Sequence, residues 1–114
     1  MCAGFLERLK AENLGRVLVL GDGIGDLTLA LRRGGLDAVY HDLDGSRTAE
    51  FARFHYHRHT GEDLPTQCST GWAPDLGYGW DAIISLDFLE HVTDVEAWAK
   101  AIRDALAPGG RFAC

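Results

Sequence analysis

Residues Val17–Gly25, VLVLGDGIG, join a short apolar run to a turn that contains three glycines. Val17–Leu20 is apolar at every position, as expected for a central strand that is covered on both faces of a sheet. Gly21–Gly25 forms the turn and leads into Leu27–Arg33, which predicts a helix that stops at Gly34. A buried strand, a glycine turn and a helix in this order are typical of open α/β sheets, which bind nucleotides at this position.

The rest of the chain alternates short apolar runs with longer amphipathic stretches. This alternation favours βαβ units around a parallel sheet. The further elements predicted are strands at Ala38–His41, Thr66–Ser69, Ala82–Ser85 and Arg111–Cys114, a helix near Arg47–His59, and a last helix that starts at a capping box, Thr93–Glu96, and stops at Pro108–Gly110. The apolar side chains expected to pack in the core are Phe51 and Phe54 of the second helix and Val95, Trp98, Ile102 and Leu106 of the last.

Length and composition limit the class of protein. The chain has 114 residues, of which 46% are hydrophobic and 25% charged, and this predicts a single globular domain over residues 1–114. Its 11 basic and 17 acidic side chains give a net charge of −6. This charge disfavours nucleic acid and anionic membranes as partners and favours a small-molecule substrate.

Targeting signals and cysteine usage point to a compartment. The sequence contains no apolar run of roughly 20 residues, the length that spans a bilayer, and Met1–Lys10 does not have the order of a secretory signal. Cys2, Cys68 and Cys114 are odd in number and far apart, which is typical of a reducing compartment. We therefore expect a cytoplasmic protein.

The charges around the glycine turn restrict the nucleotide that it can bind. Asp42 follows the first glycine of the turn by 21 residues, at the end of the second strand, where a carboxylate can accept hydrogen bonds from ribose. No lysine lies between Lys10 and Lys100, which excludes a Walker-type phosphate loop. Asp26 replaces the third glycine of a dinucleotide motif, and Asp22 and Asp26 would repel a pyrophosphate at the helix N-terminus. A cofactor with a cationic head and no phosphate, such as S-adenosylmethionine, fits better.

Four stretches, taken together, resemble the motifs of the class I, Rossmann-like S-adenosylmethionine-dependent methyltransferases. They are VLVLGDGIG (Val17–Gly25), HDLD (His41–Asp44), WDAIISLDFLEHV (Trp80–Val92) and LAPGGRF (Leu106–Phe112), in the family's order. The resemblance implies an α/β fold with a doubly wound parallel sheet of strand order 3-2-1-4-5, here without the antiparallel strand pair that closes the family's sheet. It also implies methyl transfer from S-adenosylmethionine to an acceptor that the sequence does not identify.

The resemblance places the cofactor at the ends of the first, second and fourth strands. The glycine turn would line its methionine part and Asp42 would hold its ribose, with Asp44 as the alternative. Many family members have an acidic residue near the adenine where this chain has Trp72, whose indole can stack on a base. The predicted cofactor-binding residues are Gly21, Asp22, Gly23, Gly25, Asp42, Leu43, Ser85, Leu86 and Asp87.

Two sets of residues that contain histidine are weighed for further chemistry. Asp87, Glu90 and His91 resemble part of the metal site of small-RNA 3′-end methyltransferases, but the site that we predict holds no metal. His91 is instead the candidate catalytic base on the substrate side, and a structural role for Glu90 and His91 is the alternative. The alternating histidines of the second helix are expected on a solvated face; they are His55, His57 and His59.

Two other functions stay open at this point. The chain could be a truncated or degenerate methyltransferase fold that serves as a binding or assembly module. An NAD-dependent oxidoreductase is disfavoured by the acidic turn.

The fifth strand, which begins at Arg111, would be an outer strand with unpaired backbone groups and an apolar neighbour, Phe112. This edge predicts either a homodimer that pairs edge to edge or low stability.

Overall fold

A computed structural model describes residues 15–43, 47–69, 74–86 and 94–113 of the chain. The elements are β1 (Arg16–Leu20), α1 (Asp26–Arg33), β2 (Asp37–Leu43), α2 (Arg47–Thr60), β3 (Thr66–Ser69), β4 (Trp80–Ser85), α3 (Val95–Ala105) and β5 (Leu106–Ala113). The strands form one sheet in the order β3-β2-β1-β4-β5, and each neighbouring pair is parallel. The predicted α/β class, the Rossmann-like doubly wound sheet and its strand order are confirmed.

The central strand β1 supplies both layers of the core. Val17–Leu20 is fully buried, as predicted. Val17 and Val19 belong to a cluster with side chains of α1, whereas Leu18 and Leu20 belong to a cluster with side chains of α3. Successive side chains of a strand point to opposite faces, and a run that is apolar at every position therefore holds helices on both sides of the sheet.

The helix α1 is bounded by glycines, as the sequence predicts. Gly25 precedes it with a φ of 87°, in the left-handed region that favours glycine. Gly34 follows it, and its N–H donates to the carbonyl of Ala30 at 3.0 Å. Arg32 and Arg33 occupy the last turn, where positive side chains stabilise the negative end of the helix dipole.

The capping-box assignment for the last helix is wrong by one residue. The helix α3 begins at Val95, and the residue that caps it is Asp94, whose carboxylate accepts a hydrogen bond from the Ala97 N–H at 3.0 Å. Aspartate caps a helix at least as well as threonine does, so the same sequence offered two adjacent caps. Thr93 lies outside the described residues.

The end of α3 also differs from the prediction, in which the helical stripe reached Leu106 and the fifth strand began at Arg111. The structure ends α3 one residue earlier and begins β5 at Leu106. Leu106 pairs with Trp80 and Arg111 with Ala82, so residues 107–110 form a bulge opposite a single residue of β4. A Cβ on Gly110 would lie 2.9 Å from the Trp80 carbonyl oxygen. Gly110, which the sequence predicts as part of a helix stop, thus allows the close approach of β5 to β4.

Predicted core residues in α2 and α3 divide into two groups. Trp98 and Ile102 are buried, as expected. Val95, Phe51 and Phe54 are 51%, 52% and 59% exposed, and their assignment to the core is wrong. The helix α2 instead buries one narrow face, made of Ala49, Ala52 and Tyr56. Two small alanines at i, i+3 spacing define this face, and the larger phenylalanines lie outside it.

The histidines of α2 lie near the start of α1. His57 and His59 are exposed, as predicted, whereas His55 is half-buried and its Nε2 lies 3.1 Å from Asp26 Oδ1. The rings of His55 and His59 are 4.5 Å apart. Across the residues that the structure describes, no group of three or more His, Cys, Asp or Glu is placed to hold a metal ion.

The structure describes one of the three cysteines. Cys68 of β3 is an exposed free thiol, whereas Cys2 and Cys114 lie outside the described residues. Of the helices described here, none has the length and apolar character needed to cross a membrane.

Candidate cofactor site

The glycine turn at 21–25 connects β1 to α1 at the carboxyl edge of the sheet. Gly23 has a φ of 60°, and a Cβ built on it would meet no protein atom within 4 Å. On Gly25, by contrast, a Cβ would come within 3.6 to 3.9 Å of Ala52, Leu64 and Tyr40. The turn therefore lies near protein side chains at Gly25 and faces open space at Gly23, where the backbone can approach a ligand closely.

Asp22 caps the helix that follows the turn. Its carboxylate accepts hydrogen bonds from the Leu27 N–H at 3.1 Å, the Thr28 N–H at 2.7 Å and the Thr28 hydroxyl at 2.7 Å. Burial raises the pKa of Asp22 above its ordinary value, and the hydrogen bonds act in the opposite direction. Backbone N–H groups at a helix N-terminus are the groups that bind phosphate in dinucleotide sites. Here a carboxylate of the protein occupies them.

Asp26 adds a second negative charge at the same helix terminus. Its side chain is 70% exposed and forms the contact with His55 described above. Together with Asp22 it makes the start of α1 acidic, which is unfavourable for a pyrophosphate and favourable for a cationic ligand.

Asp42 lies at the end of β2, beside the glycine turn. The register pairs Leu20 of β1 with His41, and the Gly21 N–H donates to the His41 carbonyl at 3.2 Å. Asp42 is the next residue and is half-buried. Its Oδ2 lies 3.2 Å from the hydroxyl of Tyr40. The carboxylate and the turn are therefore neighbours at one edge of the sheet, as a cofactor site that uses both requires.

Ser85 and Leu86 lie on the other side of β1. Ser85 is buried at the end of β4 and pairs with Leu20, and the Leu86 N–H donates to the Leu20 carbonyl at 2.9 Å. Leu86 packs against the cluster of β1 and α1 side chains. The structure thus brings the ends of β1, β2 and β4 together, as predicted. Leu43 ends β2.

Several predicted site residues lie outside the described residues, and they remain predictions. Asp87, of the cofactor set, and His91, the candidate base, are among them. The others are Glu90, Trp72 and Asp44.

Two residues at this edge were missed by the sequence analysis. Tyr40 is 1% exposed, and its hydroxyl lies 2.7 Å from the Gly23 carbonyl oxygen as well as 3.2 Å from Asp42. His41 is fully buried, and its Nε2 lies 2.8 Å from Ser69 Oγ. The two-residue period of a strand already places Tyr40 and Asp42 on one face of β2, and this signal was available in the sequence.

Comparison with known proteins identifies the family. The sequence model of the family described as "Methyltransferase domain" matches residues 1–114. The chain belongs to this methyltransferase family. A ubiquinone biosynthesis O-methyltransferase of Cereibacter sphaeroides is 32% identical, over 87% of this chain and 40% of the relative.

Solved structures of methyltransferases share the fold. An S-adenosylmethionine-dependent methyltransferase from Clostridium acetobutylicum superposes with a TM-score of 0.72 at 23% identity, over 97% of this chain and 47% of that one. Coclaurine N-methyltransferase, solved with N-methylheliamine and S-adenosylhomocysteine, gives 0.70 at 19% identity, over 98% and 35%. The resemblance to class I, Rossmann-like S-adenosylmethionine-dependent methyltransferases is confirmed. This methyltransferase chain spans 40% to 47% of the length of the three curated relatives it matches.

Proposed function

We propose that this methyltransferase domain binds S-adenosylmethionine at the carboxyl edge of its sheet and transfers the methyl group to a small-molecule acceptor. The observation that carries the proposal is the arrangement of two aspartates. Asp22 fills the N–H groups of α1 that a pyrophosphate would need. Asp42 is half-buried and lies beside the turn. Such a site suits a nucleoside with a cationic rather than a phosphorylated tail.

The residues of the chain bind and orient the cofactor. When bound, S-adenosylmethionine would supply a methyl group on a sulfonium: the acceptor atom would bond to the methyl carbon as the carbon–sulfur bond breaks, and S-adenosylhomocysteine would leave. The chain contributes mainly position, because in-line displacement depends on holding the reacting atoms roughly 3 to 3.5 Å apart. We assign the ribose hydroxyls to Asp42, and the methionine part to the open space over Gly23. The proposed cofactor-binding set is that of the sequence analysis: Gly21, Asp22, Gly23, Gly25, Asp42, Leu43, Ser85, Leu86 and Asp87.

The acceptor is proposed from charge and from the names of relatives. A net charge of −6 favours a small molecule over a nucleic acid. The curated relatives are named as O-methyltransferases of ubiquinone biosynthesis, so a small molecule with a hydroxyl group is the first acceptor class to test. We propose His91 as the base that takes the hydroxyl proton.

The test of the proposal is transfer of a labelled methyl group from S-adenosylmethionine to a panel of small hydroxyl compounds. We expect transfer that depends on Asp42 and is lost in Asp42→Asn. The matched control is Asp37→Asn, which removes a carboxylate from the exposed start of the same strand and should leave transfer unchanged. Binding of S-adenosylhomocysteine without transfer to any acceptor would favour a binding module over an enzyme.

A further inference from the structure

Tyr40 connects two parts of the candidate site that lie far apart in the sequence. It lies on β2, and the Tyr40 N–H donates to the Pro65 carbonyl at 2.9 Å. Its side chain is buried in a cluster with residues of α1 and α2. The hydroxyl emerges at the edge of the sheet, 2.7 Å from the Gly23 carbonyl oxygen and 3.2 Å from Asp42 Oδ2.

The ring of Tyr40 also lies near the glycine turn. A Cβ on Gly25 would lie 3.9 Å from Tyr40 Cδ2, which is ordinary van der Waals contact. The ring thus lies on the side of Gly25 toward which a side chain would point, while the hydroxyl lies within hydrogen-bond distance of the Gly23 carbonyl oxygen. Since the side chain is 1% exposed, its position is fixed by packing, and the hydroxyl has a defined location.

We infer that Tyr40 is a positioning residue of the cofactor site: its hydroxyl holds the glycine turn and Asp42 in one relative arrangement, which the cofactor then meets preformed. The inference rests on the proposed function. Binding a ligand across two segments costs less when those segments are already ordered, so the link raises affinity without touching the ligand.

The chemistry of the phenol suits this role. Burial, and then the negative charge of Asp42, raises the pKa of Tyr40 above its usual range. The hydroxyl therefore keeps its proton at neutral pH and acts as a donor. One proton faces two acceptors, the Gly23 carbonyl and the Asp42 carboxylate. Removing one acceptor would therefore change the hydrogen bond that the hydroxyl makes to the other.

The test compares two tyrosines of the same cluster. Tyr56 is also buried, and its hydroxyl accepts a hydrogen bond from Arg32 Nε at 2.8 Å, away from the turn. We expect Tyr40→Phe to weaken binding of S-adenosylhomocysteine roughly tenfold in calorimetric titration, as for the loss of one hydrogen bond to a charged group. Tyr56→Phe removes an equivalent hydroxyl and should stay within about twofold of the unchanged chain.

A double-mutant cycle separates positioning from a general loss of stability. If Tyr40 acts by linking the two segments, the loss of affinity in Tyr40→Phe with Asp42→Asn will be smaller than the product of the two single losses. Hydrogen exchange gives a readout without ligand. The Gly25 N–H, which donates to the Asp22 carbonyl at 3.0 Å, should exchange faster in Tyr40→Phe and not in Tyr56→Phe.

The possible results separate this inference from the function on which it rests. If the unchanged chain binds S-adenosylhomocysteine and Tyr40→Phe binds it equally well, the role of Tyr40 is refuted and the proposed function stands. Multiplicative losses in the cycle, or equal exchange at Gly25 in both variants, also overturn it. If the unchanged chain does not bind the ligand, the proposed function fails and the inference falls with it.

Discussion

Lowering the pH should destabilise this protein through one buried histidine. His41 is fully buried on β2, with Nε2 2.8 Å from Ser69 Oγ and its ring 5.8 Å from the ring of Trp98, edge to face. Burial lowers its pKa from 6.5 to about 4, although the negative charges of Asp42 and Asp75 act in the opposite direction. His41 therefore stays neutral in the folded protein under mildly acidic conditions.

The sign and size of the effect follow from linkage. Between pH 6.5 and about 4 the unfolded chain binds a proton at His41 and the folded chain does not. The free energy of unfolding consequently falls as the pH falls through this window, by about 3 kcal/mol in full. Between about pH 7 and about pH 4.5, the expected loss is about 2 kcal/mol.

The assay is urea unfolding at a series of pH values, with variants that isolate the histidine. The carboxylates of the chain also titrate in acid, so the informative quantity is the difference in stability between the unchanged protein and His41→Gln. This difference should shrink or reverse by about 2 kcal/mol on going from neutral to mildly acidic pH. The control, His57→Gln, removes an exposed histidine and should show no such change. A difference for His41→Gln that is constant with pH would show that burial does not suppress the protonation of His41.

Three further predictions concern the turn, the cap and the sheet edge. Gly23→Val should abolish binding of S-adenosylhomocysteine, because it places a side chain in the open space of the turn. The control is Gly61→Val, which has a similar positive φ and equally open surroundings and should strain the backbone without affecting binding. Calorimetric titration measures both variants, and equal losses of affinity would contradict the assignment of Gly23 to the site. Asp22→Ala should lower the free energy of unfolding by about 1 to 2 kcal/mol because it removes the cap of α1, and Asp26→Ala should lower it by less. Thermal or urea unfolding measures both variants, and a larger loss of stability in Asp26→Ala would show that Asp22 is not the cap. We propose that β5 pairs with a second copy of the chain, since Phe112 is 41% exposed there and lines an apolar cavity of about 290 Å³. Size-exclusion chromatography with light scattering should show dimers or aggregates as the concentration rises. A thermally robust monomer at every concentration would contradict pairing through β5.

The sheet could be read from the sequence because its signals are local. Val17–Leu20 is apolar at every position, which only a strand covered on both faces requires, and the glycines after it fix where the helix begins. The order of alternating elements then leaves few topologies, since crossovers between parallel strands are right-handed. The positions of Asp22 and Asp42 at one edge follow from this topology.

The details that failed depend on contacts between distant segments. The bulge in β5 brings Gly110 to a position where a Cβ would lie 2.9 Å from the Trp80 carbonyl oxygen, and a Pro-Gly-Gly stretch indicates a helix stop equally well when read alone. The buried face of α2 is set by which side of the helix fits the sheet, and small Ala49 and Ala52 fit closer than Phe51 or Phe54 do. The contact of Tyr40 with Gly23 joins residues 17 positions apart, and no local pattern encodes it.

Calorimetric titration of the 114-residue chain with S-adenosylhomocysteine and, separately, with NAD determines which of the two cofactor classes this site binds. We expect S-adenosylhomocysteine to bind with one site per chain and NAD not to bind, because the Asp22 carboxylate already occupies the helix N–H groups that would receive its pyrophosphate. Binding of NAD, or no binding of S-adenosylhomocysteine, would contradict it.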